Sequence, residues 1–123
     1  MSQAENATPM FAQAYMDYSL NGNVDVARGN RSIYDREGEV PCGVYPCASS
    51  GDAEDGLDRW IAITVTDNET WQALVETMGN PGWALVEELA TAEGRAANQD
   101  LIDEHLGAWS REHDDYELFH QLQ

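Results

Sequence analysis

The chain has 123 residues, of which 42% are hydrophobic, enough for one domain with a single core. It carries 23 acidic residues against six arginines and no lysine, and the formal charge of −17 argues against direct nucleic-acid binding because phosphate backbones would be repelled. No apolar run is long enough to cross a bilayer, and residues 1–7 lack the parts of a secretory signal, so we expect a cytoplasmic protein without membrane contact.

The first predicted element is a helix within residues 1–20. Thr8 as the N-cap and Pro9 at the first helical position are typical of a helix start. Apolar side chains then fall on one helical face, namely Met10, Phe11, Ala14, Tyr15 and Tyr18. Asn21-Gly22-Asn23 ends the helix. Residues 21–42 follow without a clear period, and we interpret them as an extended linker or arm.

Two strands are predicted next, over residues 43–47 and 59–66, because the second is rich in β-branched and aromatic residues. An acidic loop joins them and carries the carboxylates of Asp52, Glu54, Asp55 and Asp58. A calcium loop of the EF-hand type is excluded because Gly56 stands where the third ligand belongs and no glutamate closes the loop. We therefore interpret this loop as a solvated turn.

Two cysteines, Cys42 and Cys47, flank the first predicted strand. A disulfide between them is possible from their spacing, but a reduced pair is expected in the cytoplasm. A zinc site needs about four ligands, and no histidine lies near these cysteines. We expect ordinary half-buried thiols and no metal.

A capping box, with Thr66 at the N-cap and Glu69 at N3, predicts the start of a strongly amphipathic helix. Its apolar residues recur at i, i+3, i+4 and i+7, and they are Trp71, Leu74, Val75 and Met78. Gly79 ends the helix.

Three further helices are predicted in the remaining sequence. The first starts at Asn80-Pro81 with Leu85, Val86 and Leu89 inward, and the second runs from about Arg95 to Trp109, burying Leu101, Ile102, Leu106 and Trp109. The last is capped by Asp114 with Glu117 and carries Leu118, Phe119 and Leu122. Together these elements predict an α+β fold, a single domain over residues 1–123, in which a small antiparallel sheet packs with several helices. The α+β core spans residues 43–123.

The residues by themselves do not assemble a catalytic centre. His105 falls on an apolar seam and is interpreted as a hydrogen-bonded core histidine. Asp114 and Asp115 adjoin His113, but they suit a helix cap better than a catalytic pair. The six arginines are spread along the chain and no phosphate-cradling glycine motif is present, so we expect no catalytic, cofactor-binding or metal-binding residue on this chain alone.

A series of short segments resembles the family III CoA-transferases, the carnitine/formyl-CoA transferase group. Their order and spacing, from about Tyr15 to Leu122, carry the resemblance. The segments are Arg28-Gly29-Asn30-Arg31, Gly43-Val44-Tyr45-Pro46-Cys47, Asp58-Arg59-Trp60-Ile61-Ala62-Ile63, the capping box with Trp71, the run Ala92, Arg95, Asn98, Leu101, Leu106 and Trp109, and Tyr116-Glu117-Leu118 with Leu122.

The resemblance implies the small α+β domain of enzymes that also have a large Rossmann-like domain and form interlocked dimers. In that family an aspartate of the large domain attacks the acyl-CoA, and an aspartyl-CoA thioester then forms. The matched portion contains neither that aspartate nor the main CoA-binding residues, so CoA is expected only if a large domain completes the chain. The family's small domain contributes a glycine-rich loop that shields the active site. Its counterpart here is residues 35–41, with Glu37, Gly38 and Glu39 as the candidate site-facing residues.

Three functions are compatible with these observations. The first, which we favour, is a non-catalytic binding or interaction module that forms a homodimer or binds a partner protein. The second is a subunit or fragment of a split CoA-transferase that moves CoA between carboxylic acids. The third is an acidic decoy for a basic partner protein. The acids are scattered along the chain, which favours a solvated, salt-tolerant surface over the decoy.

Overall fold

The computed structural model describes residues 8–22, 29–32, 38–48 and 58–123. These residues form five α-helices and two β-strands in an α+β arrangement, as predicted. In chain order they are α1 (Ala12–Asn21), β1 (Cys42–Pro46), β2 (Trp60–Thr64), α2 (Asn68–Thr77), α3 (Ala92–Ala97), α4 (Gln99–Ser110) and α5 (Asp115–Gln121). Short 3-10 turns cover Thr8–Phe11 and Glu87–Ala90. No helix in the described part of the chain has the length and apolar character of a membrane span.

The two strands pair antiparallel, and both lie within two residues of their predicted bounds. Tyr45 stands opposite Ile61, and both side chains are buried in the core. Since side chains alternate between the faces of a strand, Val44 and its partner Ala62 lie on the other face, where both are exposed. The sheet therefore has one core face and one open face.

The arm adds a strand-like segment to the free edge of β1. The Ser32 amide donates to the Cys42 carbonyl and the Val44 amide donates to the Asn30 carbonyl, each over 2.9 Å. Arg31 consequently lies opposite Gly43 in an antiparallel bridge. The sequence predicted an extended arm, but it carried no sign of this pairing because residues 29–32 show no alternation of polar and apolar side chains.

The core lies between the inner face of the sheet and the helices α2, α4 and α5. The predicted inward face of α2 is confirmed: Trp71, Leu74 and Val75 are buried and Met78 packs against the core's edge. The most deeply buried apolar side chains are Val65, Leu89, Ile102, Leu106 and Leu118.

Helix α1 ends as predicted but begins later. Gly22 has a φ of 72°, in the left-handed region that favours glycine, and its amide donates to the Tyr18 carbonyl. At the other end, residues 8–11 form a 3-10 turn, so α1 begins at Ala12 and Thr8 is not its N-cap.

The caps of α2 and α5 are both aspartates. Asp114 accepts hydrogen bonds from the amides of Tyr116 and Glu117, which confirms the predicted start of α5. The predicted cap of α2 is wrong by one residue: the carboxylate of Asp67, not Thr66, accepts from the Thr70 amide, over 2.7 Å. That amide lowers the pKa of Asp67 below its ordinary value. The Asp67 carboxylate also accepts from the Thr70 hydroxyl, over 2.8 Å.

The helix predicted after Asn80-Pro81 is absent from the described residues that cover it. The chain makes a turn over residues 82–85 and then a 3-10 turn, Glu87–Ala90. Left-handed backbone at Gly79 and Asn80 redirects the chain. The inward contacts come from Ala84 and Leu89, while Leu85 and Val86 are exposed.

The predicted helix over residues 95–109 is two helices, because the backbone of Asn98 leaves helical geometry. The Asn98 side-chain amide donates to the Gly94 carbonyl over 2.8 Å, which competes with helix continuation. On α4, Ile102 and Leu106 are fully buried, Trp109 is half-buried, and Leu101 is 42% exposed. Leu101 was therefore wrongly predicted to face the core.

Candidate functional site

The loop implied by the resemblance to face an active site lies directly before β1. Glu37 falls outside the described residues, whereas Gly38 and Glu39 are described. Gly38 has a φ of 91°, and its carbonyl accepts from the Val40 amide over 3.1 Å, so the chain turns tightly here. Val40 and Pro41 are buried immediately afterwards. The loop Gly38–Pro41 is thus anchored at its base, the two buried residues Val40 and Pro41 that join it to β1.

Arg95 of α3 anchors that base from the helical side. Its Nε donates to the Val40 carbonyl over 2.8 Å, and its Nη1 donates to Asn68 Oδ1 and the Leu89 carbonyl over 3.0 and 3.2 Å. The guanidinium lies 5.5 Å from the centre of the Trp71 ring.

The guanidinium is 0% exposed, and burial lowers the pKa of Arg95 from its ordinary value. Among the described residues, its buried Nη2 has no hydrogen-bond partner. The sequence analysis named Arg95 as a member of the run that resembles the family and gave it no role. The feature of the sequence that could have drawn attention to Arg95 is its position three residues before Asn98, where α3 ends.

A second polar cluster joins the arm to α4. Arg31 forms ion pairs with Asp100 and Asp103. The hydroxyl of the buried Tyr45 donates to Asp103 Oδ1 over 2.7 Å. The hydrogen bond to Asp100 raises the pKa of Arg31, and burial together with Asp103 raises the pKa of Tyr45, so both side chains stay protonated donors at neutral pH.

A cleft of about 690 Å³ lies beside this cluster, between the arm, β1 and α4. Three of its lining residues are acids, Asp100, Asp103 and Glu104, and two are arginines. Arg31 is neutralised by its own carboxylates and Arg111 donates to the Gly107 carbonyl of its own helix. This balance of charge does not suit the phosphates of CoA.

Strand geometry decides the state of the cysteines. Cys42 and Cys47 lie five positions apart in nearly extended chain, about 17 Å between Cα atoms, far beyond the roughly 4–7 Å of a disulfide. Both thiols are free, and burial raises the pKa of Cys47. Within the described ranges, no three His, Cys, Asp or Glu side chains group together as a metal site would require. Of the loop carboxylates, Asp58 is described and exposed, and the others lie outside those ranges.

The histidines make packing contacts. His105 is half-buried and stacks on Trp83 with ring centres 4.5 Å apart and planes 10° from parallel. His113 Nδ1 lies 2.8 Å from the Trp109 carbonyl. The neighbouring Asp114 is used as the cap of α5.

A family model, CoA-transferase family III, matches residues 1–123. The chain belongs to this family. A search of the curated proteins finds no match. For a family III chain, the two-stranded antiparallel sheet packed with helices is consistent with the small α+β domain that the sequence resemblance implies.

This family III domain exposes apolar side chains in several places, and two of these places carry little charge. On and just before α1, five are more than half exposed, namely Phe11, Tyr15, Met16, Tyr18 and Leu20. The second place is the open face of the sheet, where Val44 and Trp60 are 40% and 47% exposed. Asp17 is the single charged residue of α1, and β1 and β2 contain none. Exposed apolar surface with little charge is typical of protein contact sites.

The arm cluster leads to a stability prediction. We expect Arg31→Met to lower the free energy of unfolding by about 1–3 kcal/mol, because it leaves Asp103 with one donor and releases the arm from α4. Urea denaturation would measure the loss, and hydrogen exchange of the Ser32 and Val44 amides should accelerate with it. Arg111→Met is the matched control, since that arginine contacts its own helix and should change stability by no more than about 0.5 kcal/mol. Equal losses in the two variants would contradict the anchoring role of Arg31.

Proposed function

We propose that this family III domain is a non-catalytic interaction module of the cytoplasm that binds a protein partner through α1 and the open sheet face. The observation that carries the proposal is the exposure of α1 and the residue before it, where Phe11, Tyr15 and Tyr18 are each more than half exposed. Burying such side chains against a partner is favourable by about 1.5–3 kcal/mol each. The use of the histidines in packing and of Arg31 and Arg95 in internal hydrogen bonds supports a non-catalytic role.

A second copy of the chain is the expected partner. The chain carries a charge of −17, so two copies repel each other over most of their surfaces. On α1 and the open sheet face, Asp17 is the one charged side chain, so two copies can meet there without bringing many acids together. Salt should strengthen the association because it screens the remaining repulsion.

Sedimentation velocity tests this proposal. We expect a dimer at micromolar concentration that becomes tighter from low to physiological salt. The double variant Tyr15→Ser, Tyr18→Ser should sediment as a monomer, because both side chains lie on the proposed contact surface. Tyr116→Ser is the matched control: it removes a tyrosine that is even more exposed, 69%, from α5 and should leave the dimer intact.

A wild-type protein that is monomeric at all salt concentrations, and that retains no protein partner on an affinity column, would refute the interaction module. Retention of nucleic-acid-binding proteins at low salt would favour the acidic decoy instead.

Completion of a CoA-transferase by a separate large domain is the second candidate function. Family membership and the anchored loop Gly38–Pro41 favour it. The test is co-purification with a large-domain protein encoded by a neighbouring reading frame, followed by an assay of CoA exchange between carboxylic acids. The idea fails if no such protein binds, or if the assembled pair transfers no CoA.

A further inference from the structure

We infer that Arg95 is a positioning residue for the loop Gly38–Pro41, an inference that rests on the second candidate function for the catalytic meaning of the loop. In a completed enzyme this loop is the part of the domain expected to face the reacting groups. Arg95 would act through the backbone of the loop and would not touch the substrate.

The first argument is the set of segments that Arg95 joins. It lies 55 residues from Val40, 27 from Asn68 and 6 from Leu89, and it donates to an oxygen of each. Among the described residues, Arg95 is the one charged side chain that is fully buried. The three oxygens that accept its hydrogen bonds are uncharged. Burial of a cation without a contacting carboxylate is unfavourable. The forked donors of a guanidinium offset that cost because they satisfy the buried carbonyls of Val40 and Leu89.

The second argument is how the loop is held. Inside it, the Val40 amide donates to the Gly38 carbonyl. At its base, the Pro41 carbonyl accepts from the Val65 amide over 2.8 Å, which fixes the side next to β2. The Val40 carbonyl accepts from Arg95, which fixes the side next to the helices.

Gly38 marks where this restraint ends. A Cβ added at Gly38 would meet no atom of the described part of the chain within 4 Å, so close packing against that part does not restrain the turn. The bond from Arg95 to the Val40 carbonyl therefore restrains the loop at its base, two residues from Gly38.

Amide hydrogen exchange of the purified chain, followed by NMR, tests the inference without any partner. We expect Arg95→Met to accelerate exchange of the Glu39 and Val40 amides by about tenfold or more, the factor that loss of a hydrogen bond to a charged donor implies. Amides at the centre of α4 should be unaffected. Asn68→Ala is the matched control, because it removes one acceptor of Arg95 and leaves the bond to Val40 in place, so the loop amides should change by less than about threefold.

If Arg95→Met fails to fold, two other measurements test the inference. They are amide exchange in the Arg95→Lys variant and exchange of the Arg95 Nε proton in the wild-type protein. The lysine variant keeps the charge but lacks the fork, and its loop amides should also exchange faster. In the wild type, the Nε proton of Arg95 should be protected from exchange, in contrast to that of Arg111. Loop amides that exchange at the wild-type rate in a folded Arg95 variant, or an unprotected Nε proton, would overturn the inference.

An activity assay of this chain in complex with a large-domain protein then separates the inference about Arg95 from the second candidate function. If the pair transfers CoA, Arg95→Lys should lower kcat with a smaller change in KM, because the loop is misplaced while binding surfaces are intact. If kcat is unchanged although the loop is less ordered, Arg95 does not position the loop for chemistry and the inference fails. A pair that transfers no CoA in the wild type refutes the second candidate function and leaves the exchange results to decide whether Arg95 orders the loop.

Discussion

Leu106→Ala is expected to lower the free energy of unfolding by about 2–5 kcal/mol. The leucine is 0% exposed on α4 and belongs to the same core cluster as Ile102 and Leu118. Truncation removes buried methyl groups and leaves a cavity that the surrounding side chains close only in part. Urea denaturation followed by tryptophan fluorescence would measure the loss, since Trp71 packs in the same core.

Leu101→Ala is the matched control on the same helix. Leu101 is 42% exposed, so the same truncation should cost less than about 1 kcal/mol. The pair of variants tests which way α4 faces. Similar losses at the two positions would show that Leu101 lies in the core, as the sequence pattern predicted, and would contradict the orientation of α4 in the structure.

The second large effect is expected at Gly94, in the first turns of α3. A Cβ built at Gly94 would lie 1.6 Å from the carbonyl oxygen of Glu88 and 2.8 Å from its carbonyl carbon. Both atoms are backbone, so they cannot swing aside as a side chain would. Gly94→Ala is therefore expected to lower the free energy of unfolding by about 1–3 kcal/mol, although alanine has the higher helix propensity by about 1 kcal/mol.

Gly82→Ala provides the control for that substitution. A Cβ at Gly82 meets no atom within 4 Å, and the residue lies in a turn without a left-handed φ. Alanine there should be neutral or stabilising by up to about 1 kcal/mol, because it restricts the unfolded chain. Thermal unfolding by circular dichroism would show opposite shifts in Tm for the two variants. A Gly94→Ala protein as stable as the wild type would mean that α3 does not approach the Glu88 carbonyl this closely.

Gly94 also adjoins Arg95, so its substitution bears on the loop before β1. A displaced α3 would move the guanidinium away from the Val40 carbonyl. Any destabilisation at Gly94 should therefore be accompanied by faster exchange of the loop amides, which ties the packing of α3 to the position of the loop.

The sequence by itself determined those elements that have a local physical signature. The i, i+3, i+4, i+7 spacing from Trp71 to Met78 predicted α2 and its buried face. An α-helix completes a turn every 3.6 residues, so residues at this spacing lie on one face. Asp114 predicted the start of α5 because its carboxylate can reach the amides of the next turn. The strand-forming run around Ile61 and Ile63 predicted β2, and the order of the short segments identified the family.

The sequence predicted that Ile102 and Leu106 face the core, but only the tertiary structure decided which residues complete the buried side of α4. Its buried side is centred on Ile102 and Leu106 and continues through the small residues Gly107 and Ser110. Ser110 contacts β1, where its hydroxyl donates to the Pro46 carbonyl over 2.7 Å. Hydrophobicity alone gives small residues little weight, so the pattern assigned Leu101 to the core in their place.

Only the tertiary structure decided the two polar contacts on which the candidate site depends. Arg31 and Asp103 are 72 residues apart, and Arg95 and Val40 are 55 residues apart. Neither pair has a period or a spacing that a sequence displays, because each contact forms only when the arm, the loop and the helices are packed together. The backbone carbonyl of Val40 also carries no side-chain identity, so any residue type at that position could have accepted the same bond.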